Sequence, residues 1–139
     1  HLVKHSKNTV TVPGGAIYRE QSLILSPFDN DTTRNFYARR MFIGAQGVGP
    51  LGIMEADGLL IQSEQKLMRQ ADELILMVDS SKFRQRSSLI LCPLEQVTTI
   101  ITDDGISADT VRMIEDAGVS LIITSVSAEA EEEDSPSVA

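Results

Sequence analysis

The sequence has no tryptophan, a single cysteine and few aromatic residues, and each shortage excludes something. With Cys92 as its only cysteine, the chain cannot form an internal disulfide or a cysteine-rich zinc site. Aromatic residues make up 4% of the 139 residues, so a core must come mainly from the aliphatic residues typical of layered α/β folds. No apolar run approaches the roughly 20 residues that cross a bilayer. We therefore expect a cytoplasmic protein that has no membrane partner.

Positive charge is also scarce. The formal net charge is −8, and five of the 20 acidic residues lie at positions 129 and 131–134. This leaves 15 acidic residues against 12 lysines and arginines, or −3, for residues 1–127. Nucleic-acid binding depends on phosphate neutralisation by clustered basic side chains, which this body lacks. Any DNA contact must therefore come from another segment, and the acidic stretch 125–139 is expected to be disordered.

The chain alternates between strand-like and helix-like patterns. We predict strands at 9–12, 22–25, 41–43, 73–78, 89–91, 97–102 and 119–124, helices at 33–40, 57–71 and 107–117, and a loop at 48–52. Asp29 or Asp31 is expected to cap the first helix. Nearly continuous apolar strands alternating with helices indicate an α/β fold with a mostly parallel sheet flanked by helices.

Polar or glycine-rich loops follow three of these predicted strands, at 44–47, 79–82 and 103–105. In parallel sheets, ligands bind beyond the carboxyl ends of the strands. The segment 79–82 combines a carboxylate, two hydroxyls and a cation, which suits a sugar phosphate, although an ordinary polar turn has the same composition. The glycines of the loop 44–47 could let the backbone approach a ligand closely, or could be needed only because the turn has no room for side chains. It matches neither a dinucleotide fingerprint nor a Walker loop, so no cofactor is expected.

The other candidate groups are isolated. Lys66 could reach a phosphate or lie solvated on a helix, and Glu55 and Glu64 lie near that helix's start. His1 and His5 have no evident partner for a metal site or a proton relay. We predict no metal site and no catalytic residue.

The order of the motifs resembles the sensor domain of DeoR-family sugar-responsive transcriptional regulators. The resemblance spans about residues 9–124 and is carried by PGG at 13–15, FIGAQG at 42–47, EQKLM at 64–68, ILMVDSSKF at 75–83 and IITD at 100–103. It implies a fold similar to those of ribose-5-phosphate isomerase, glucosamine-6-phosphate deaminase and CoA-transferases. It further implies a repressor whose winged helix-turn-helix binds operator DNA while this domain binds a phosphorylated sugar or related metabolite.

The resemblance also implies an effector site. Its members are Gly44, Gln46, Gly47, Lys66, Asp79, Ser80, Ser81, Lys82 and Asp103. Gln46 stands where the family commonly has Asp, and a neutral amide there removes a carboxylate that could act as a base.

The resemblance bears on domain organisation as well. The family's first strand and Gly-Ser-Thr-Thr phosphate loop are not found in this sequence, and the chain starts with His1. We therefore expect residues 1–124 to be a partial sensor domain, without the DNA-binding domain. A homo-oligomer is expected because two operator half-sites need two DNA-binding domains.

Two other functions stay open on the residues alone. A sugar-phosphate isomerase or CoA-transferase could draw an acid and a base from Asp79, Glu64, Lys66 or Lys82, although no carboxylate–histidine pair supports it. A protein-interaction module with a vestigial pocket is the third reading.

Overall fold

A computed structural model of the chain describes residues 2–12, 14–19, 22–26 and 32–125. The helices in this part are α1 (Leu2–His5), α2 (Gly58–Met68) and α3 (Ala108–Asp116). The strands are β1 (Ala16–Tyr18), β2 (Leu23–Leu25), β3 (Ala38–Ile43), β4 (Gly47–Gly49), β5 (Gly52–Glu55), β6 (Ala71–Met77), β7 (Leu89–Cys92), β8 (Thr99–Asp103) and β9 (Ser120–Thr124). Short 3-10 turns occupy Thr32–Asn35, Ser80–Arg84 and Leu94–Gln96.

Four strands form a parallel sheet in the order β3-β6-β8-β9. Ile43 lies opposite Leu76, Leu76 opposite Ile100, and Ile100 opposite Leu121, so one row of side chains crosses the whole sheet. Leu76 and Ile100 are fully buried, and the row packs into the hydrophobic core. The α/β fold with a mostly parallel sheet and flanking helices, predicted from the apolar strand runs, is confirmed.

A second sheet, antiparallel and ordered β4-β5-β7, packs against the first. The loop predicted at 48–52 was wrong, because residues on both sides of this segment form the β4–β5 hairpin. Gly52 allows the turn: its φ is +117°, and a Cβ there would lie 2.1 Å from the backbone O of Cys92. Val48 and Ile53 bury almost completely in the shared core, which explains the apolar character of this supposed loop.

The N-terminal region differs from expectation. The strand predicted at 9–12 does not form. Val10 and Val12 remain exposed, so no burial of apolar surface stabilises a strand there. A strand does occur at Ala16–Tyr18, and the one predicted at 22–25 is confirmed as β2, antiparallel to β1. Pro13, Asp29, Asp31 and nearly all of the predicted tail (126–139) lie outside the described residues.

The helix predicted at 33–40 is wrong beyond its first turn. A 3-10 turn at Thr32–Asn35 leads into β3, whose parallel pairing with β6 places Arg40 directly opposite Glu73. Arg40 Nε lies 2.7 Å from Glu73 Oε2, and Arg39 Nε lies 3.6 Å from Glu73 Oε1. The basic residues that suggested a helix C-terminus instead form cross-strand ion pairs.

The two longer helices form where the sequence predicts them, with shorter bounds. Asp57 caps α2, and its side chain accepts from the backbone N of Leu59. Ser107 caps α3 through a bond from the backbone N of Thr110. None of the helices in the described ranges is long and apolar enough to span a membrane.

Candidate functional site

The turn that follows β6 is organised by Asp79. Its side chain accepts a 2.9 Å hydrogen bond from the backbone N of Ser81, and its backbone O accepts a 3.1 Å bond from the backbone N of Lys82. These bonds cap the 3-10 turn Ser80–Arg84. The hydrogen bonds from the Ser81 side chain and backbone lower the pKa of Asp79, so this exposed group is a carboxylate at neutral pH.

Asp103, at the end of β8, joins this turn to the neighbouring strand. Its Oδ2 accepts a 2.6 Å bond from the backbone N of Ser80, and its Oδ1 accepts a 2.8 Å bond from the backbone N of Gly105. Bonds from the Ser80 side chain and from these two amides lower the pKa of Asp103. Both oxygens are thus engaged within the protein, and Asp103 fixes the two loops side by side.

The loop after β3 leaves the sheet at the same edge, since Ile43 lies opposite Leu76 of β6. Gly44 is exposed, and a Cβ there would meet nothing within 4 Å. Gly47 is different, because a Cβ would lie 2.6 Å from the backbone O of Gln85. Gly44 therefore leaves open space beside the turn, whereas Gly47 is required for packing in β4.

Glu55 holds this loop through a hydrogen bond to its backbone. It is 7% exposed at the end of β5, and its Oε1 accepts a 3.1 Å bond from the backbone N of Gln46, whose side chain is exposed. Burial raises the pKa of Glu55, while the amides of Gln46 and Ala56 and the charge of Lys82 act in the opposite direction. The charge of Lys82 lowers the pKa of both Glu55 and Asp79, so the ammonium acts on both carboxyl groups.

A second carboxyl group lies close to Glu55. Burial, reinforced by the Glu55 charge, raises the pKa of Glu64 to about 7, and Glu64 Oε2 is buried without a hydrogen-bond partner. Burial, followed by the Glu64 charge, raises the pKa of Cys92 to about 11, so this thiol is protonated and unreactive at neutral pH. The sequence places both glutamates near α2, and Glu64 was considered only as an acid or base of the alternative enzyme, not as a neighbour of Glu55. The signal available was the position of Glu55 at the end of an apolar strand.

Lys66 is held in a different environment. It lies in the last turn of α2, is 7% exposed, and its Nζ donates a 2.6 Å bond to the backbone O of Ser26, just after β2. The structure therefore gathers Gly44, Asp79, Ser80, Ser81, Lys82 and Asp103 at the carboxyl edge of the sheet, with Gln46 and Gly47 in the adjoining loop. It ties the Lys66 amine to the β1–β2 hairpin.

Clefts occur near this edge and away from it. One of about 370 Å³ lies beside the 3-10 turn and is lined by Val48, Met54, Phe83, Arg84 and Arg86, among others. Another, of about 470 Å³, lies where α2 meets β6 and β7. Neither is lined by the predicted site residues, of which Gly44, Gln46, Asp79 and Ser81 are exposed whereas Gly47 and Lys66 are buried. In the described ranges, no three His, Cys, Asp or Glu side chains are grouped to hold a metal ion.

The chain is similar in sequence to a family of known proteins. The family model described as the DeoR C terminal sensor domain matches residues 1–104. The "HTH-type transcriptional regulator UlaR" of Shigella dysenteriae serotype 1 (strain Sd197) is 28% identical over 123 residues, covering 88% of this chain and 48% of that relative. The proteins of the same description from Escherichia coli strains K12 / DH10B and SMS-3-5 / SECEC give the same identity and coverage. The chain thus spans about half the length of these curated relatives.

The fold and the family match define the class, which is a DeoR C terminal sensor domain. The chain belongs to the DeoR family, and the predicted family is confirmed. The curated relatives are named as transcriptional regulators, not as enzymes, and the sensor-domain match supports an effector-sensing role.

Proposed function

We propose that this domain binds a phosphorylated sugar or a closely related metabolite at the carboxyl edge of its parallel sheet, and that binding modulates operator binding by a repressor. The observation that supports this most directly is the joining of the β6 and β8 loops. Asp103 fixes the turn 79–82 beside the open space at Gly44. This edge is where parallel sheets bind ligands.

The turn offers the groups that such an effector needs. Lys82 supplies an ammonium for a phosphate, and the ionised Asp79 an acceptor for sugar hydroxyls. The Ser81 hydroxyl, which donates to Asp79, can accept from a sugar hydroxyl. Arg84 and Arg86 line the adjoining cleft of about 370 Å³ and add positive charge beyond Lys82. Their charge offsets the repulsion that Asp79 and Glu55 would exert on an anion.

Effector binding must then act on a distant DNA-binding element. Residues 1–127 carry a formal charge of −3, which does not favour DNA binding, and the curated relatives are named as HTH-type regulators and are about twice as long as the match. A helix-turn-helix outside this chain would therefore contact the operator. An effector that binds one assembly state more tightly than the other shifts the population between operator-competent and incompetent forms.

Calorimetric titration with a panel of sugar phosphates and their unphosphorylated parents tests the proposal. We expect at least one phosphorylated compound to bind, and its parent to bind at least about tenfold more weakly, since the phosphate–Lys82 contact is lost. Lys82→Ala should weaken phosphate binding similarly, and Asp79→Asn should weaken binding of the sugar. Lys7→Ala is the matched control, because it removes an exposed lysine near the start of the sequence, remote from the turn 79–82 in the sequence. Equal binding by wild type and Lys82→Ala would contradict this assignment.

A further inference from the structure

Glu55 is a buried acid at the last position of β5. It is 7% exposed, and of the acidic residues in the described ranges it alone is buried to this degree. Burying a carboxyl group costs free energy unless hydrogen bonds and opposite charges offset the loss of water. The contacts of Glu55 therefore show what its burial achieves.

The side chain of Glu55 holds the loop between β3 and β4. The backbone N of Gln46 donates to two acceptors, the backbone O of Met54 at 3.0 Å and Oε1 of Glu55 at 3.1 Å. The first bond extends the β4–β5 hairpin, in which Gly47 lies opposite Met54. The second adds a side-chain acceptor, so the Glu55 carboxyl group fixes the backbone of a loop residue whose own side chain is exposed.

The backbone of Glu55 is bonded to the segment that carries Lys82. Its backbone O accepts a 2.7 Å bond from Oγ of Ser87, three residues after the 3-10 turn Ser80–Arg84. The charge of Lys82, in the turn itself, also acts on the Glu55 carboxyl group. One buried residue thus joins the loop 44–46 to the segment of the lysine turn.

We infer that Glu55 is a positioning residue of the effector site, which sets the distance between the loop 44–46 and the turn Ser80–Arg84 so that one ligand contacts both. This inference rests on the proposed function and adds the shape of the ligand. Its phosphate would lie at Lys82, and its hydroxyl groups would extend to the loop, where the Gln46 side chain is exposed. Glu55 acts through the two segments and not by contact with the ligand, since its side chain is buried.

The charge and the hydrogen bond of Glu55 have opposite effects on a bound anion. A carboxylate near Lys82 repels inorganic phosphate and a sugar phosphate alike, so its neutralisation favours both ligands. Loss of the bond to Gln46 lowers affinity for a ligand that reaches the loop, and inorganic phosphate contacts the turn alone. The ratio of sugar-phosphate affinity to phosphate affinity therefore isolates the positioning role.

Calorimetric titration of the chain with inorganic phosphate and with the sugar-phosphate panel measures this ratio. Glu55→Ala removes the acceptor and should lower the ratio at least about fivefold. Glu55→Gln keeps an oxygen for the Gln46 N–H and should hold the ratio within about twofold of wild type. Glu95→Ala is the matched control, since it removes an exposed glutamate that precedes the amino end of β8, at the opposite edge of the sheet. An unchanged ratio in Glu55→Ala, or an equal loss in Glu55→Gln, would overturn the inference.

Hydrogen exchange of the ligand-free chain distinguishes failure of this inference from failure of the proposed function. The Gln46 amide should exchange at least about threefold faster in Glu55→Ala, and at the wild-type rate in Glu55→Gln and Glu95→Ala. If no sugar phosphate bound the wild type, the proposed function would fail, and the Gln46 exchange rate would still decide whether Glu55 fixes the loop. A wild-type rate in Glu55→Ala would show that it does not.

A second variant covers the case in which Glu55→Ala does not fold, which circular dichroism reports. Glu55→Asp keeps the charge, but its side chain is one methylene shorter, which withdraws the oxygen from the backbone N of Gln46. It should lower the affinity ratio and speed Gln46 exchange in the same direction. Wild-type behaviour of Glu55→Asp in both measurements would overturn the inference, because the charge alone would then account for Glu55.

Discussion

At the scale of single residues, Asp103 and Gly105 show how a position that resembles a ligand can serve the scaffold. Asp103 was predicted to contact an effector, yet its two oxygens accept bonds from the backbone N of Ser80 and of Gly105. Gly105 allows this closeness, since a Cβ there would lie 2.5 Å from Ser80 Oγ and 2.9 Å from Asp103 Oδ1. In the proposed effector site, Asp103 would therefore act on affinity only by positioning the turn 79–82.

Gly105→Ala should disturb this contact. The added methyl group must displace Ser80 or Asp103, and we expect a loss of about 1–3 kcal/mol in the free energy of unfolding. Urea denaturation measures it. Gly44→Ala is the control, because its Cβ meets open space and should change stability by less than about 0.5 kcal/mol. Equal effects of the two substitutions would show that the Ser80–Asp103 contact is not tight.

Glu64 makes stability depend on pH. Its pKa rises from 4.5 to about 7 on folding, so between these values the folded chain binds more protons than the unfolded chain, and stability falls as pH rises through this window. We expect a loss of about 1–3 kcal/mol between pH 5 and pH 8, reduced from the full pKa shift by solvent screening.

The comparison that isolates Glu64 is the slope of stability against pH, measured by urea denaturation, in wild type and Glu64→Gln. The variant should lose most of the decline, and the remainder belongs to Glu55, whose pKa is raised in the same direction. Parallel slopes in the two proteins would mean that Glu64 ionises in the folded chain as easily as in water.

At the scale of elements, helix ends follow the sequence more faithfully than strand partners do. The predicted helices begin at 57 and 107, and Asp57 and Ser107 cap α2 and α3 at these positions, because a cap is a contact between residues two or three apart. Acidic residues precede the segment 33–40 and basic residues end it, which suits a helix, but pairing with β6 made its last residues a strand. That pairing depends on Glu73, more than 30 residues away, and no local pattern contains it.

Asp57→Ala should cost about 1 kcal/mol of unfolding free energy, because the backbone N of Leu59 and of Leu60 would lose their acceptor. Asp57→Asn keeps a side-chain oxygen and should retain most of the stability. Thermal denaturation of both variants measures the difference, and a cap that mattered only through its charge would make them equally unstable.

At the scale of the whole molecule, the sequence predicted the parallel sheet, the two longer helices and the edge at which the polar loops meet. Apolar runs and strand-end loops are local patterns, which is why they could be read directly. The β4–β5 hairpin and the engagement of Lys66 with Ser26 were not predicted, since both depend on how distant segments pack. The Glu55–Glu64 pair was missed for the same reason. Glu55 ends β5 and Glu64 lies in α2, so the two carboxyl groups become neighbours only after the strand and the helix have packed.

The parallel pairing of β3 with β6 has a consequence for the order of folding. β3 and β6 are neighbours in the sheet, but β4, β5 and α2 lie between them in the chain. Closing that long segment costs chain entropy before the β3–β6 bonds return any energy. The β4–β5 hairpin and α2 can form from nearby residues, so they should form early. The central sheet should assemble in a slower kinetic step. The loops of the proposed effector site, which follow its strands, should therefore take their final positions late in folding.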